Sequence, residues 1–170
     1  QGLRDAGILP VFKHFPGHGH AVGDSHRGTS TTPPLDQLDP DLVPYRALLP
    51  EAGPGAVMVG HLVVPGLTKG LPASLSPDAI DGLLRGQLGW QGLVFTDELG
   101  GMRAVSDRFG APEAVRRAIA AGADVALLAS SSQVDAILDR LEAAVGDGSL
   151  SKARVDAALA HVLAAKGYAC

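Results

Sequence analysis

Four short apolar runs punctuate the chain: Ile8–Phe12, Ala56–Val59, Leu93–Thr96 and Val125–Ala129. Each is rich in Val, Leu and Ile and lacks polar alternation, the pattern of a strand buried on both faces. Between the runs the apolar spacing turns helical. One helix is expected near Asp41–Leu49. A second opens at Ser76-Pro77-Asp78 and runs through Ile80, Leu83, Leu84 and Leu88. There serine can cap, proline suits the first helical position and aspartate complements the helix dipole. A third helix, Pro112–Ala121, ends at Gly122, and Gln133–Val145 and Ser151–Lys166 flank a Gly-Asp-Gly break. Gln1 to Gly7 reads as the last turns of a helix closing at Gly7. The Pro- and Gly-rich Pro65–Pro77 reads as a long strand-to-helix loop.

Strand, loop and helix repeated four times predict a parallel α/β sheet. Polar residues sharpen that expectation. Lys13 and His14 follow the first strand, His61 the second, Asp97 and Glu98 the third, and Ser130–Ser132 the fourth. Both the (β/α)8 barrel and the doubly wound sheet place ligands at strand C-termini. Four units make half a barrel, and the sequence opens without methionine. The expectation is the C-terminal half of a (β/α)8 TIM-type barrel: residues 1–170 as one partial catalytic domain whose N-terminal barrel half is missing. A barrel left open exposes strand edges, so a chain of this extent alone is expected to be inactive.

Composition narrows the function classes. The 170 residues have the length of one domain, and 46% hydrophobic with 19% charged residues is far from a disordered composition. A net charge of −4 with no basic stripe argues against a nucleic-acid partner. The single cysteine, Cys170, excludes a disulfide framework and is badly placed for a catalytic thiol. No apolar run approaches the ~18 residues of a membrane span.

The densest chemistry lies in KHFPGHGHAVGDSH, Lys13 to His26, which holds four histidines, one lysine and one aspartate. In an extended loop, residues i and i+2 project to one side. Asp24 can therefore accept a hydrogen bond from one ring nitrogen of His26 and leave the other free to exchange protons near neutral pH. Taken alone, the commoner reading of this triplet is a turn cap beside a solvated histidine. Asp97, where a buried strand opens onto the ligand face, can attack an electrophilic carbon; a structural ion pair or helix cap is the plain alternative. Lys13 donates only, which suits sugar hydroxyls, carboxylates or phosphates, and His14 can add a contact. As strand neighbours the two point to opposite faces unless the strand ends between them. His18-Gly19-His20 is an H-x-H pair of the kind zinc sites use, but it follows a Phe-Pro-Gly turn and its glycines loosen the frame. No metal and no cofactor is expected. The glycines lack the spacing of a dinucleotide or Walker loop.

Taken together, Lys13-His14-Phe15-Pro16-Gly17-His18-Gly19, Asp24-Ser25-His26 and Phe95-Thr96-Asp97-Glu98-Leu99 through Met102 resemble glycoside hydrolase family 3, in its β-N-acetylglucosaminidase branch. Val57–His61, Pro72–Pro77 and Ala121–Asp124 add to the match, and Val43–Arg46 with the run to Arg108 is most similar to actinobacterial lipoprotein members. The resemblance implies Asp97 as nucleophile, His26 as general acid/base with Asp24 as its partner, and Lys13 with His14 as sugar-binding pair. It implies retaining hydrolysis of terminal β-linked N-acetylglucosamine from cell-wall fragments, with an N-acetylglucosaminyl saccharide as partner. It points to the cell envelope, with a cytoplasmic location left open. Some relatives use phosphate as acceptor, so phosphorolysis is the first alternative; a metal-dependent barrel hydrolase and an inactive fragment are the others. The family usually has Asp-Asp where this chain has Asp97-Glu98, and small or acidic residues where it has His20.

Overall fold

The apolar runs pair side by side in chain order. In the computed structural model, which describes residues 2–51 and 53–168, the strands are β1 (Val11–Phe15), β2 (Ser30–Thr31), β3 (Ala56–Val59), β4 (Leu62–Val63), β5 (Leu93–Glu98) and β6 (Val125–Leu127). Gln1 and Cys170, both part of the sequence expectations, lie outside the described residues. The main sheet has the order β1-β3-β5-β6, and every pairing is parallel. A doubly wound sheet would reverse its order at a switch point, whereas this one advances without reversal, as a barrel wall does. The expected partial (β/α)8 architecture is what the chain adopts. β2 and β4 form a separate parallel pair on the loop side, which the sequence pattern did not reveal.

The central strands are covered on both faces. Ala56, Val57 and Val59 of β3 and Val94 and Thr96 of β5 are fully buried. On the outer face pack α2 (Asp39–Leu48), the helix Asp78–Gln87 and α4 (Ala111–Ala120), which follow α1 (Gly2–Asp5) and, for α4, the short α3 (Arg103–Ser106). Their apolar stripes, including Leu42, Ile80, Leu84 and Val115, join the strands in one core. Tyr45 of α2 meets Phe15 edge-to-face at 5.2 Å. α5 (Val134–Gly146) and α6 (Lys152–Ala165) complete the layer.

Several features depart from the sequence pattern; β5, for one, runs on through Asp97 and Glu98 instead of ending at Thr96. The first strand is Val11–Phe15 rather than Ile8–Phe12, so Lys13 and His14 lie within it. Pro10 has no N–H to offer the ladder, which begins where its carbonyl accepts from Ala56 at 2.9 Å. The fourth strand stops at Leu127 because side chains of β5 take over: Thr96 Oγ1 accepts the Leu127 N–H and Glu98 Oε1 the Ala129 N–H. The helix after Ser76 is wound as a π-helix over Asp78–Gln87, closing with Leu88 N–H to Leu83 O at 2.9 Å. A 3.6-residue apolar period cannot announce that wider winding.

Candidate active site

Phe15 is buried at the end of β1, and the chain just before it bends out of register. The β1–β3 ladder runs Val11 to Lys13 against Ala56 to Met58, then skips His14 and resumes at Phe15 opposite Val59. This bulge removes the strict alternation of faces. Lys13 and His14 consequently line the same cavity, of about 500 Å³, together with His18, Gly23, Asp24, Ser25, His26 and Asp97. All five candidate residues of the sequence analysis therefore meet around one space.

Asp97 enters from the end of β5. Its Oδ1 accepts the Glu98 N–H at 2.9 Å, while Oδ2 lies 3.6 Å from His14 Nε2. One carboxylate oxygen is thus tied to the backbone and the other faces His14. Burial holds the His14 imidazolium below its ordinary range, and the neighbouring Lys13, His18 and His61 push the same way against Asp97. His18 packs edge-on to His14, ring centroids 5.6 Å apart. Gly60 makes room for both: a Cβ there would sit 3.2 Å from His14 Cβ and 3.6 Å from His18 Nε2.

Asp24 and His26 arrive on the loop after β1. Asp24 Oδ1 accepts the His26 backbone N–H at 3.0 Å and faces His26 Nδ1 at 3.2 Å. An ionised carboxylate only accepts, so Nδ1 carries the proton and Nε2 is left for chemistry. The bond from the His26 backbone holds the Asp24 carboxyl below its usual range. His26 is 77% exposed at its side chain. The loop beneath it is anchored, with Ser25 buried, Ala104 N–H reaching Ser25 O at 3.1 Å, and Val22 bridged to Thr31.

Two expectations of the sequence reading are corrected. His61 is not a reactive group on the ligand face: it is buried, with Nε2–H donating to Glu98 O at 2.8 Å and Nδ1 accepting from Ser74 Oγ at 2.7 Å. The carbonyl can only accept, which fixes the tautomer. Ser130 and Ser132 line a separate cavity of about 240 Å³ with Glu98, Gly100 and Gly101. His20 turns from the cavity to the buried carboxylate of Asp41, with Nδ1 2.9 Å from Oδ2. Asp41 had no motif to mark it, because its role depends on a loop folding over it. Among the described residues, no three His, Cys, Asp or Glu side chains converge to hold a metal ion.

A carboxylate with one free oxygen, opposite an imidazole poised by a second carboxylate, can share a displacement: one attacks while the other moves protons. Comparison with known proteins places the chain in a family. The family model described as the glycosyl hydrolase family 3 N terminal domain matches residues 1–165. The beta-hexosaminidase LpqI of Mycobacterium tuberculosis (strain ATCC 25618 / H37Rv) is 56% identical over 173 residues, covering 98% of this chain and 44% of that protein. The solved structure of M. tuberculosis LpqI superposes with a TM-score of 0.95 at 55% identity, covering 100% of this chain and 51% of that one. A family 3 β-N-acetylglucosaminidase from Paenibacillus sp. str. FPU-7 gives a TM-score of 0.91 at 40% identity, covering 98% of this chain and 32% of that one. The chain thus spans about half the length of the relatives it matches, or less.

Proposed function

The chain belongs to glycosyl hydrolase family 3, and from that footing we propose that it supplies the nucleophile and the acid/base of a retaining β-N-acetylhexosaminidase. The observation that carries the reading is the single cavity shared by Asp97, His26, Asp24, Lys13 and His14. In the first step Oδ2 of Asp97 attacks the anomeric carbon. The bond to the leaving oxygen breaks as that oxygen takes the proton from Nε2 of the His26 imidazolium. In the second step Nε2, now neutral, accepts a proton from water, which attacks the same carbon and releases Asp97. Lys13 and His14 hold sugar hydroxyls. Terminal N-acetylglucosamine on cell-wall fragments is the substrate class, supported by the branch the motifs resemble.

The test is mass spectrometry of the intact protein after incubation with a slow fluorinated N-acetylglucosaminyl substrate. A sugar adduct on the peptide carrying Asp97 is expected, and Asp97→Ala should lower kcat on the order of 10⁴-fold or more. His26→Ala should lose roughly 10²–10⁴-fold on substrates with poor leaving groups and much less on a nitrophenyl glycoside, which needs little protonation. A competent protein with no adduct and a fully active Asp97→Ala would sink the assignment. Phosphorolysis is the second reading, favoured by an acid/base that is an imidazole rather than a carboxylate, in a cavity that Lys13, His14 and His18 also line. Product analysis with and without phosphate separates free sugar from sugar 1-phosphate.

A further inference from the structure

Glu98 stands beside Asp97 yet is absent from the cavity that Asp97 lines, so its carboxylate is turned away from the reacting groups. It faces backbone instead. Oε1 accepts N–H groups from Gly100 at 2.8 Å and Ala129 at 3.1 Å, and Oε2 accepts from Gly101 at 2.6 Å. Burial pulls this carboxyl upward, but the bonds from Gly101, Ala129, Gly100 and Met102 outweigh it and hold the group below its usual range. The two glycines clear the space: a Cβ on Gly100 would lie 2.9 Å from Oε1, and one on Gly101 3.3 Å from Oε2.

The backbone of the same residue is fixed at both ends. Its carbonyl accepts from His61, itself held by Ser74, and its N–H donates to Asp97 Oδ1. We propose that Glu98 is a positioning residue for Asp97, its side chain clamping the turn after β5 to the end of β6 so that its own peptide presents the Asp97 carboxylate in one orientation. This rests on the reading of Asp97 as nucleophile. Rotation of the carboxylate would have to break the Glu98 N–H bond, and movement of that peptide would have to break the clamp or abandon buried His61. An amide side chain cannot do the same work, because its NH₂ end donates where backbone N–H groups also donate.

The experiment is a kinetic comparison of Glu98→Gln and Glu98→Asp in the intact protein, with kcat, KM and thermal midpoint measured together. Glu98→Gln should lower kcat about ten- to a hundredfold, the scale of a lost charge-assisted hydrogen bond, with KM within about threefold. Glu98→Asp, which keeps both acceptor oxygens, should recover part of that loss. Unchanged kcat in Glu98→Gln overturns the proposal. So does a fall in kcat matched by KM and thermal midpoint in both variants, which marks general loosening. If Glu98→Gln fails to fold, Gly100→Ala displaces the clamp from the other side and should show the same kcat-specific loss; an indifferent Gly100→Ala overturns the proposal equally. Asp97→Gly with added azide runs in parallel. Restored turnover to an inverted glycosyl azide upholds the nucleophile, so an indifferent Glu98→Gln then sinks the positioning role alone. No restoration removes the nucleophile reading, and the Glu98 proposal with it.

Discussion

At the residue scale, burial disfavours the charged form of two histidines, His14 in the cavity and His61 behind it. Burial dominates the downward shift at both His61 and His14, each from an ordinary value of 6.5. The sign follows from linkage: below about pH 6.5 the unfolded chain takes up protons that the folded chain refuses. The stability tied to these two groups is therefore complete above that value. It drains as pH falls toward their folded values, by up to about 1.4 kcal/mol per pH unit for each. Carboxylates act in a lower window. Glu113, held at about 2 chiefly by Arg116, and Glu98 lose their contributions only as pH falls below the ordinary 4.5. Urea midpoints should thus decline between pH 7 and 5.5, above the window of Glu98 and Glu113. The decline should be shallower in His61→Gln, whose amide can still donate toward Glu98 O. A midpoint flat across that range would mean that neither imidazole is held neutral by the fold.

At the element scale, the turn from Gly17 to His20 is wrapped around one buried side chain. Asp41 accepts the His20 N–H and the His20 ring from beneath. Gly17 has φ 130°, and a Cβ there would meet Asp41 Cβ at 2.7 Å. Gly17→Ala suffers both a left-handed backbone and a clash, and should cost about 1–3 kcal/mol. Gly28, farther along the connection to β2, has open space around it, and Gly28→Ala should be near neutral in thermal unfolding. Equal effects would show that the wrap around Asp41 does not constrain the loop. The contrast also shows what was legible in the sequence. The sheet, its parallel sense and the helices after it were readable because burial on both faces leaves uninterrupted apolar runs. Lys13, His14, Asp24, His26 and Asp97 were singled out together only through the family that their motifs resemble; read alone, Asp24, His26 and Asp97 each kept a plain structural alternative. Asp41, His61 and Glu98 do their work through contacts across 21 to 37 residues, which spacing along the chain does not encode. The β1 bulge that lets Lys13 and His14 share a cavity is likewise a matter of register against β3.

At the scale of the whole molecule, the strands' two ends carry different burdens. The reacting groups gather at the C-terminal ends, while the opposite end is closed by a polar clasp on Asp124. Its carboxylate is wholly buried and accepts from Arg85 Nη2 and Val94 N–H on one oxygen, and from Arg154 and His161 Nδ1 on the other. Four elements meet there: the π-helix gives Arg85, α6 gives Arg154 and His161, β5 gives Val94, and Asp124 itself precedes β6. Removing the carboxylate leaves two guanidinium groups, each largely buried, facing one another without their acceptor. That is the costly way to break a buried ion pair, and Asp124→Ala should lose about 3–5 kcal/mol of stability in urea unfolding. Amide exchange should rise first in α6, which the clasp holds against the sheet. Below the new midpoint, kcat per folded molecule should be unchanged, because no group at that end touches the cavity with Asp97 and His26. A loss of kcat without a loss of stability would show that the two ends are coupled through β5, the strand that carries both Val94 and Asp97.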